Sequence, residues 1–221
     1  MIMLRPVRPY PWKECLAVIL PLLAAASALG VQYGWRFPDD VFAGLRGEHP
    51  VATDAMFMLS KCGAAVFYVT FAAVLFSGIR ENSHDKITLC VRVILYNIAV
   101  SLIILHFMKD GLGMPRPGWG HEPVPWSGSN RFHSFPSGHT AEIVGLALSV
   151  LGLNIGKARL FFLSALVLAV GLSRIWLGAH HPADLLAGLA VGFFAARLAF
   201  YPVPKKPAGP GIVAEDARPG Q

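Results

Sequence analysis

An all-α bundle of six membrane-spanning helices is the fold that this sequence predicts, on three observations. Hydrophobic residues fill 54% of the 221 positions and charged residues only 14%, against roughly 25% charged in soluble domains. The apolar residues lie in long blocks, each close to the roughly 17–25 residues that a bilayer-crossing helix needs. The cations divide unequally between the two ends of those blocks.

Taken in order, a 1–14 segment carrying Arg5, Arg8 and Lys13 precedes the first span, 15–34. Ala24-Ala25-Ala26-Ser27-Ala28 also reads as a signal-peptide cleavage pattern, but apolar residues run on to Val31, which favours a retained span. Residues 35–59, with Phe37-Pro38-Asp39-Asp40 and His49-Pro50, are expected to form an interfacial segment containing a short amphipathic helix, with Trp35 at headgroup depth. The second span is 60–79, and the polar 81–86 stretch connects it to the third, 87–108. Pro115, Pro117, Pro123 and Pro125, with Trp119 and Trp126, make 110–135 a stiff outer lid. The fourth span, 138–155, is short and starts inside a motif, so its outer end is expected below the membrane surface. A turn at 154–159 leads to the fifth span, 159–177, and the sixth is 184–201. Residues 15–201 thus form one membrane domain. Pro, Gly and charge dominate 202–221, which reads as a disordered cytoplasmic tail. Cys15, Cys62 and Cys90 lack paired spacing and suit apolar packing.

Six spans put both termini on one side. That side collects twelve cations (Arg5, Arg8, Lys13, Arg80, Lys86, Arg92, Lys157, Arg159, Arg197, Lys205, Lys206 and Arg218), and the other side has seven. The positive-inside rule places the richer side in the cytoplasm. The net charge of +6 is therefore a topology signal rather than a nucleic-acid footprint. No feature specifies an oligomeric state.

Three charged patterns occur at the opposite face, which is periplasmic in a Gram-negative cell. Charge near a membrane is costly and seldom kept without use. Lys109 ends span three, and Arg116-Pro117 follows after a Gly-containing return, so both cations can converge on one anion. Snorkelling interfacial cations are the competing reading. Pro136-Ser137-Gly138-His139 opens span four, where a helix N-terminus offers unpaired N–H groups to an anion. Ser137 and Gly138 suit phosphate binding and His139 suits protonation of a leaving oxygen, with plain helix capping by Ser137 as the alternative. Ser173-Arg174 ends span five. Asp184 lies four residues beyond His180, close enough to orient its imidazole as a nucleophile. His180, His181 and Asp184 are also conceivable metal ligands. Adjacent histidines point apart, however, and Arg174 repels a cation, so no metal site is expected.

The three blocks resemble the signature of the type 2 phosphatidic acid phosphatase family of integral membrane lipid phosphatases: K-x6-R-P, P-S-G-H and S-R-x5-H-x3-D. Lys109, Arg116, Pro117, Pro136, Ser137, Gly138, His139, Ser173, Arg174, His180 and Asp184 fill every fixed position. The resemblance implies that His180 attacks phosphorus to form a phosphohistidine, Asp184 orients it, and His139 protonates the leaving group. It implies that Lys109, Arg116, Ser137, Gly138 and Arg174 hold the phosphoryl oxygens, that no cofactor or metal is required, and that the partners are a lipid phosphate and the bilayer. His180 rather than His181 is chosen by register alone.

Glu142 lies three residues past His139 on nearly the same helix face. It is a candidate cavity-lining group or the partner of a buried cation. His106 reads as a packing residue, and Arg131 and His133 as lid residues within reach of a headgroup. A binding or transport protein with the same cationic pocket is the alternative class, but binding alone needs no His139, His180 and Asp184 set. A soluble vanadium-dependent haloperoxidase, a wider relative, does not fit the six spans. The candidate substrates are phosphatidic acid, phosphatidylglycerol phosphate, undecaprenyl diphosphate and a lipid A phosphate.

Overall fold

The computed structural model describes residues 11–37, 39–153 and 156–200, and these are all-helical with turns and loops. The expected 202–221 tail and most of the 1–14 segment lie outside the described residues. The helices are α1 (Trp12–Tyr33), α2 (Ala43–Glu48), α3 (Pro50–Cys62), α4 (Ala65–Arg80), α5 (His84–Ala99), α6 (His106–Leu112), α7 (Gly138–Val150), α8 (Lys157–Trp176) and α9 (Pro182–Ala199). A π-helical turn, Val100–Leu105, joins α5 to α6.

Four stretches are long and apolar enough to cross a membrane: Trp12–Tyr33, Pro50–Arg80, Lys157–Trp176 and Pro182–Ala199. The expected third span is divided by the π-helical turn into pieces of 16, 6 and 7 residues. The expected fourth is α7, only 13 residues long. Its length has a physical reason. Nearly every side chain from Thr140 to Val150 is buried among neighbouring helices, so α7 meets protein rather than lipid and need not match the bilayer.

Two boundaries differ from expectation. Pro50 sits at the first turn of α3, where its missing N–H costs nothing, so helix begins well before residue 60. The expected interfacial segment therefore reduces to 35–49 with α2. Gly63 lies at the α3–α4 hinge, and a Cβ there would come within 2.5 Å of Val170 on α8. The expected 81–86 connection shrinks to a turn, because Lys86 is buried in α5 with its ammonium 2.7 Å from Glu81 and 2.9 Å from Ser77.

Small residues set the packing. α7 lies closest to α9, and α1 packs chiefly on α8. Gly188 and Gly192, four apart on α9, lie against the backbone of α7, and a Cβ at Gly192 would meet Val144 at 2.9 Å and Gly145 N at 3.0 Å. On α1, Cys15, Val18, Leu22 and Ala26 are buried, and Leu22 fills the space that a side chain at Gly171 would take. Cys15 and Cys90 are buried and Cys62 is exposed; all three are free thiols.

Candidate active site

Three helix ends converge with the 113–137 loop at one end of the bundle. Lys109 stands in the last turn of α6, which Gly113 closes in the left-handed conformation (φ 56°) with its N–H on Lys109 O at 2.9 Å. The loop that follows is pinned rather than loose. Val124 N bonds Gly113 O at 2.8 Å, Arg116 N bonds Arg131 O at 2.9 Å, and Ser134 N bonds Met114 O at 3.0 Å. Arg131 stacks over the Trp119 ring at 3.8 Å. His133 contacts Asp110 at 3.1 Å and Ser127 O at 2.7 Å. Both side chains thus stitch the loop together.

Ser137 caps α7, its buried hydroxyl accepting from Thr140 N at 3.4 Å and Thr140 Oγ1 at 2.9 Å. A Cβ at Gly138 would lie 3.4 Å from Lys109 Nζ, so the absence of a side chain there lets the ammonium settle against the helix start. From α8, Ser173 bonds its own helix at Val170 O, 2.7 Å away. Arg174 donates to Ser60 Oγ of α3 at 2.6 Å.

The loop from α8 to α9 carries His180 and His181 and leads directly into Asp184. All three are buried, and their roles divide by contacts. Nδ1 of His181 accepts from Phe37 N at 2.9 Å, and its Nε2 donates to Pro115 O at 3.1 Å, so both ring nitrogens are committed to tying loops together. Nδ1 of His180 faces Asp184 Oδ2 at 3.5 Å, the outer limit of a hydrogen bond, which leaves its other nitrogen uncommitted to Asp184. Asp184 also accepts from His181 N at 2.9 Å, in the third helical position where a carboxylate satisfies an unpaired amide. It accepts from Ser134 Oγ, and its Oδ1 lies 3.4 Å from Arg36 Nη1. Arg36 Nη2 donates in turn to Pro115 O at 3.0 Å.

Electrostatics mark this cluster off from the rest of the molecule. Among the described residues, the buried side-chain polar atoms without a hydrogen-bond partner are Arg116 Nε, Arg174 Nε and His180 Nδ1. Buried donors are nearly always satisfied, so two guanidinium nitrogens orphaned together point to an anion. The side chains of Arg174, His180, Lys109 and Arg116 all lie within electrostatic reach of His139. Burial pushes the His180 imidazole down to about 4; Asp184 opposes this, and Arg174 and Arg116 add to it. His180 is therefore neutral at ordinary pH, the state in which an imidazole is a nucleophile.

Glu142 sits one turn along α7 from His139, hydrogen-bonded by the Tyr68 hydroxyl. Both line a cavity of about 160 Å³ together with His139 and Ser60. Arg36, Ser134 and Ser60 carry no sequence signal of a site role: Arg36 reads as one of the seven outer-side cations, and the two serines have no spacing to single them out.

The sequence profile of the PAP2 superfamily matches residues 90–208. A lipid A 1-phosphatase of Rhizobium etli is 26% identical over 201 residues, which cover 83% of this chain and 82% of the relative. A lipid A 4'-phosphatase of Bacteroides thetaiotaomicron is 27% identical over 69% of this chain and 77% of its own length. An undecaprenyl-diphosphatase of Bacillus subtilis is 38% identical over a shorter stretch, 30% of this chain and 34% of its own. No solved structure matches the chain. With a matching profile over more than half its length, the chain belongs to the PAP2 superfamily.

Proposed function

We propose that the protein is a membrane phosphatase that hydrolyses a lipid phosphate through a phosphohistidine on His180. The carrying observation is the pair of orphaned guanidinium nitrogens on Arg116 and Arg174 beside the buried, neutral His180. Lys109, Arg116, Arg174, the Ser137 hydroxyl and the Gly138 amide bind the phosphoryl oxygens, where fixed positive charge stabilises the spread negative charge of the transition state. The His180 nitrogen turned away from Asp184 attacks phosphorus, and the bond to the leaving oxygen breaks as His139 gives that oxygen a proton. Water then attacks the phosphohistidine, returns a proton to His139 and frees inorganic phosphate. Asp184 holds the imidazole in its attacking tautomer and offsets the positive charge it gains.

Six helical passages put the motif end on the outer face and both termini in the cytoplasm, with the α5–α6 run and the protein-sheathed α7 as the third and fourth. The division of cations supports this orientation. The relatives that share most of their length with this chain are named for lipid A, so a bacterial saccharolipid phosphate is the first substrate to assay.

The test is phosphate release by detergent-solubilised protein from a panel of lipid phosphates, with EDTA present. Wild type is expected to release phosphate and His180→Ala to lose at least about a thousandfold. Binding without release by wild type contradicts the proposal and favours a transport or carrier role.

A further inference from the structure

The one buried residue of α3 is polar. Ser60 is 4% exposed, on a helix that leaves Val51, Phe57 and Met58 exposed. A buried hydroxyl needs a partner, and the partner here is Arg174 of α8, whose Nη1 donates to Ser60 Oγ at 2.6 Å. Ser60 belongs to none of the three motifs, yet it touches one of the two guanidinium groups on which the phosphate site depends.

That bond sets how Arg174 presents itself. A guanidinium is a rigid planar fork, with one edge formed by Nη1 and Nη2 and another by Nε and Nη2. Ser60 engages Nη1, which leaves the Nε–Nη2 edge for a bidentate grip on an anion. Nε lies on that edge, and it is buried without a partner, as is Nε of Arg116. A neutral hydroxyl accepts the bond without offsetting the positive charge, whereas a carboxylate at this position would cancel much of what draws a phosphate.

Other contacts dock α3 on α8. Thr53 lies seven residues before Ser60, close to two helical turns, and so on the same face. Its Oγ1 accepts from Trp176 Nε1 at 3.2 Å, and Arg46 of α2 donates to Trp176 O at 2.6 Å. At the other end, Gly63 is pressed against Val170. The helix is thus held by groups outside the cationic cluster, and the Ser60 hydroxyl is spent on Arg174.

We infer that Ser60 is a positioning residue for phosphate binding, its hydroxyl holding the Arg174 guanidinium with the Nε edge turned toward the phosphoryl group. The inference deepens the phosphatase reading above and rests on its assignment of Arg174 to the phosphate.

The experiment measures the affinity of the detergent-solubilised full chain for inorganic phosphate by calorimetry, and kcat/KM for a lipid phosphate. Ser60→Ala removes only the hydroxyl and is expected to lower both about tenfold, the effect of one hydrogen bond to a charged group. Ser60→Thr keeps the hydroxyl and is expected to retain most of the wild-type affinity. Thr53→Ala cuts the neighbouring tie to Trp176, and is expected to lower the melting temperature while phosphate affinity stays unchanged. In an Arg174→Ala background, Ser60→Ala is expected to cost nothing further, because the group it holds is gone. Unchanged phosphate affinity in folded Ser60→Ala overturns the assignment, as does an equal loss in Thr53→Ala or additive losses with Arg174→Ala. Wild type that binds phosphate yet releases none from lipid phosphates overturns the phosphatase reading instead, and the affinity series still decides the role of Ser60.

Discussion

Asp184 is held by groups from separate stretches of chain: the His181 amide, the Ser134 hydroxyl, the Arg36 guanidinium and, at 3.5 Å, the His180 ring. Arg36 steadies the carboxylate that faces His180, the proposed nucleophile, and ties Pro115 of the lid to the same point. Arg36→Met is therefore expected to lower kcat about tenfold with little change in KM, and Arg36→Lys to recover part of the loss. Steady-state kinetics on both variants decide this, and a rise in KM with unchanged kcat contradicts a positioning role. The motif residues were legible because their chemistry repeats at short, fixed spacing within a helix end or turn. Arg36 and Ser134 were not, because each reaches Asp184 across a tertiary contact that no local spacing encodes. Motif register alone picks His180 over His181, and the physical ground for it is tertiary: Phe37 N and Pro115 O, two backbone groups, occupy both nitrogens of His181.

At the scale of elements, the close approach of α7 and α9 brings His139 to His180 and Asp184. Gly188 and Gly192 make that approach possible, and Ser137 N bonds Asp184 O at 3.0 Å where the two helices begin. Gly192→Leu is expected to destabilise the protein by about 1–3 kcal/mol through overpacking. It should also reduce activity more than its melting temperature alone explains, because the helix starts move apart. Thermal unfolding in detergent together with the specific activity of the folded fraction checks this. Unchanged activity in the folded fraction would show that helix spacing does not set the site. Apolar blocks in the sequence located the long helices well. Over α7 the same apolar signal reflects burial in protein rather than contact with lipid, and nothing in it marks the π-helical turn that divides the third block.

Over the whole molecule, the cationic cluster and the 113–137 loop occupy one end of the bundle, and the 81–83 turn lies between helices at the opposite one. With the motif end facing outward, a cysteine at Ser127 in a background lacking Cys15, Cys62 and Cys90 is expected to react with an impermeant thiol reagent in intact cells, and one at Asn82 only after lysis. The reverse pattern would invert the topology. If phosphorus passes through His180, the intermediate can be trapped there. The enzyme is mixed with substrate bearing radiolabelled phosphate, quenched in alkali within one turnover and mapped by peptide. An acid-labile label is expected on His180, absent from His180→Ala and carried over to no other histidine. Label on His181, or undiminished phosphate release by His180→Ala, would contradict it.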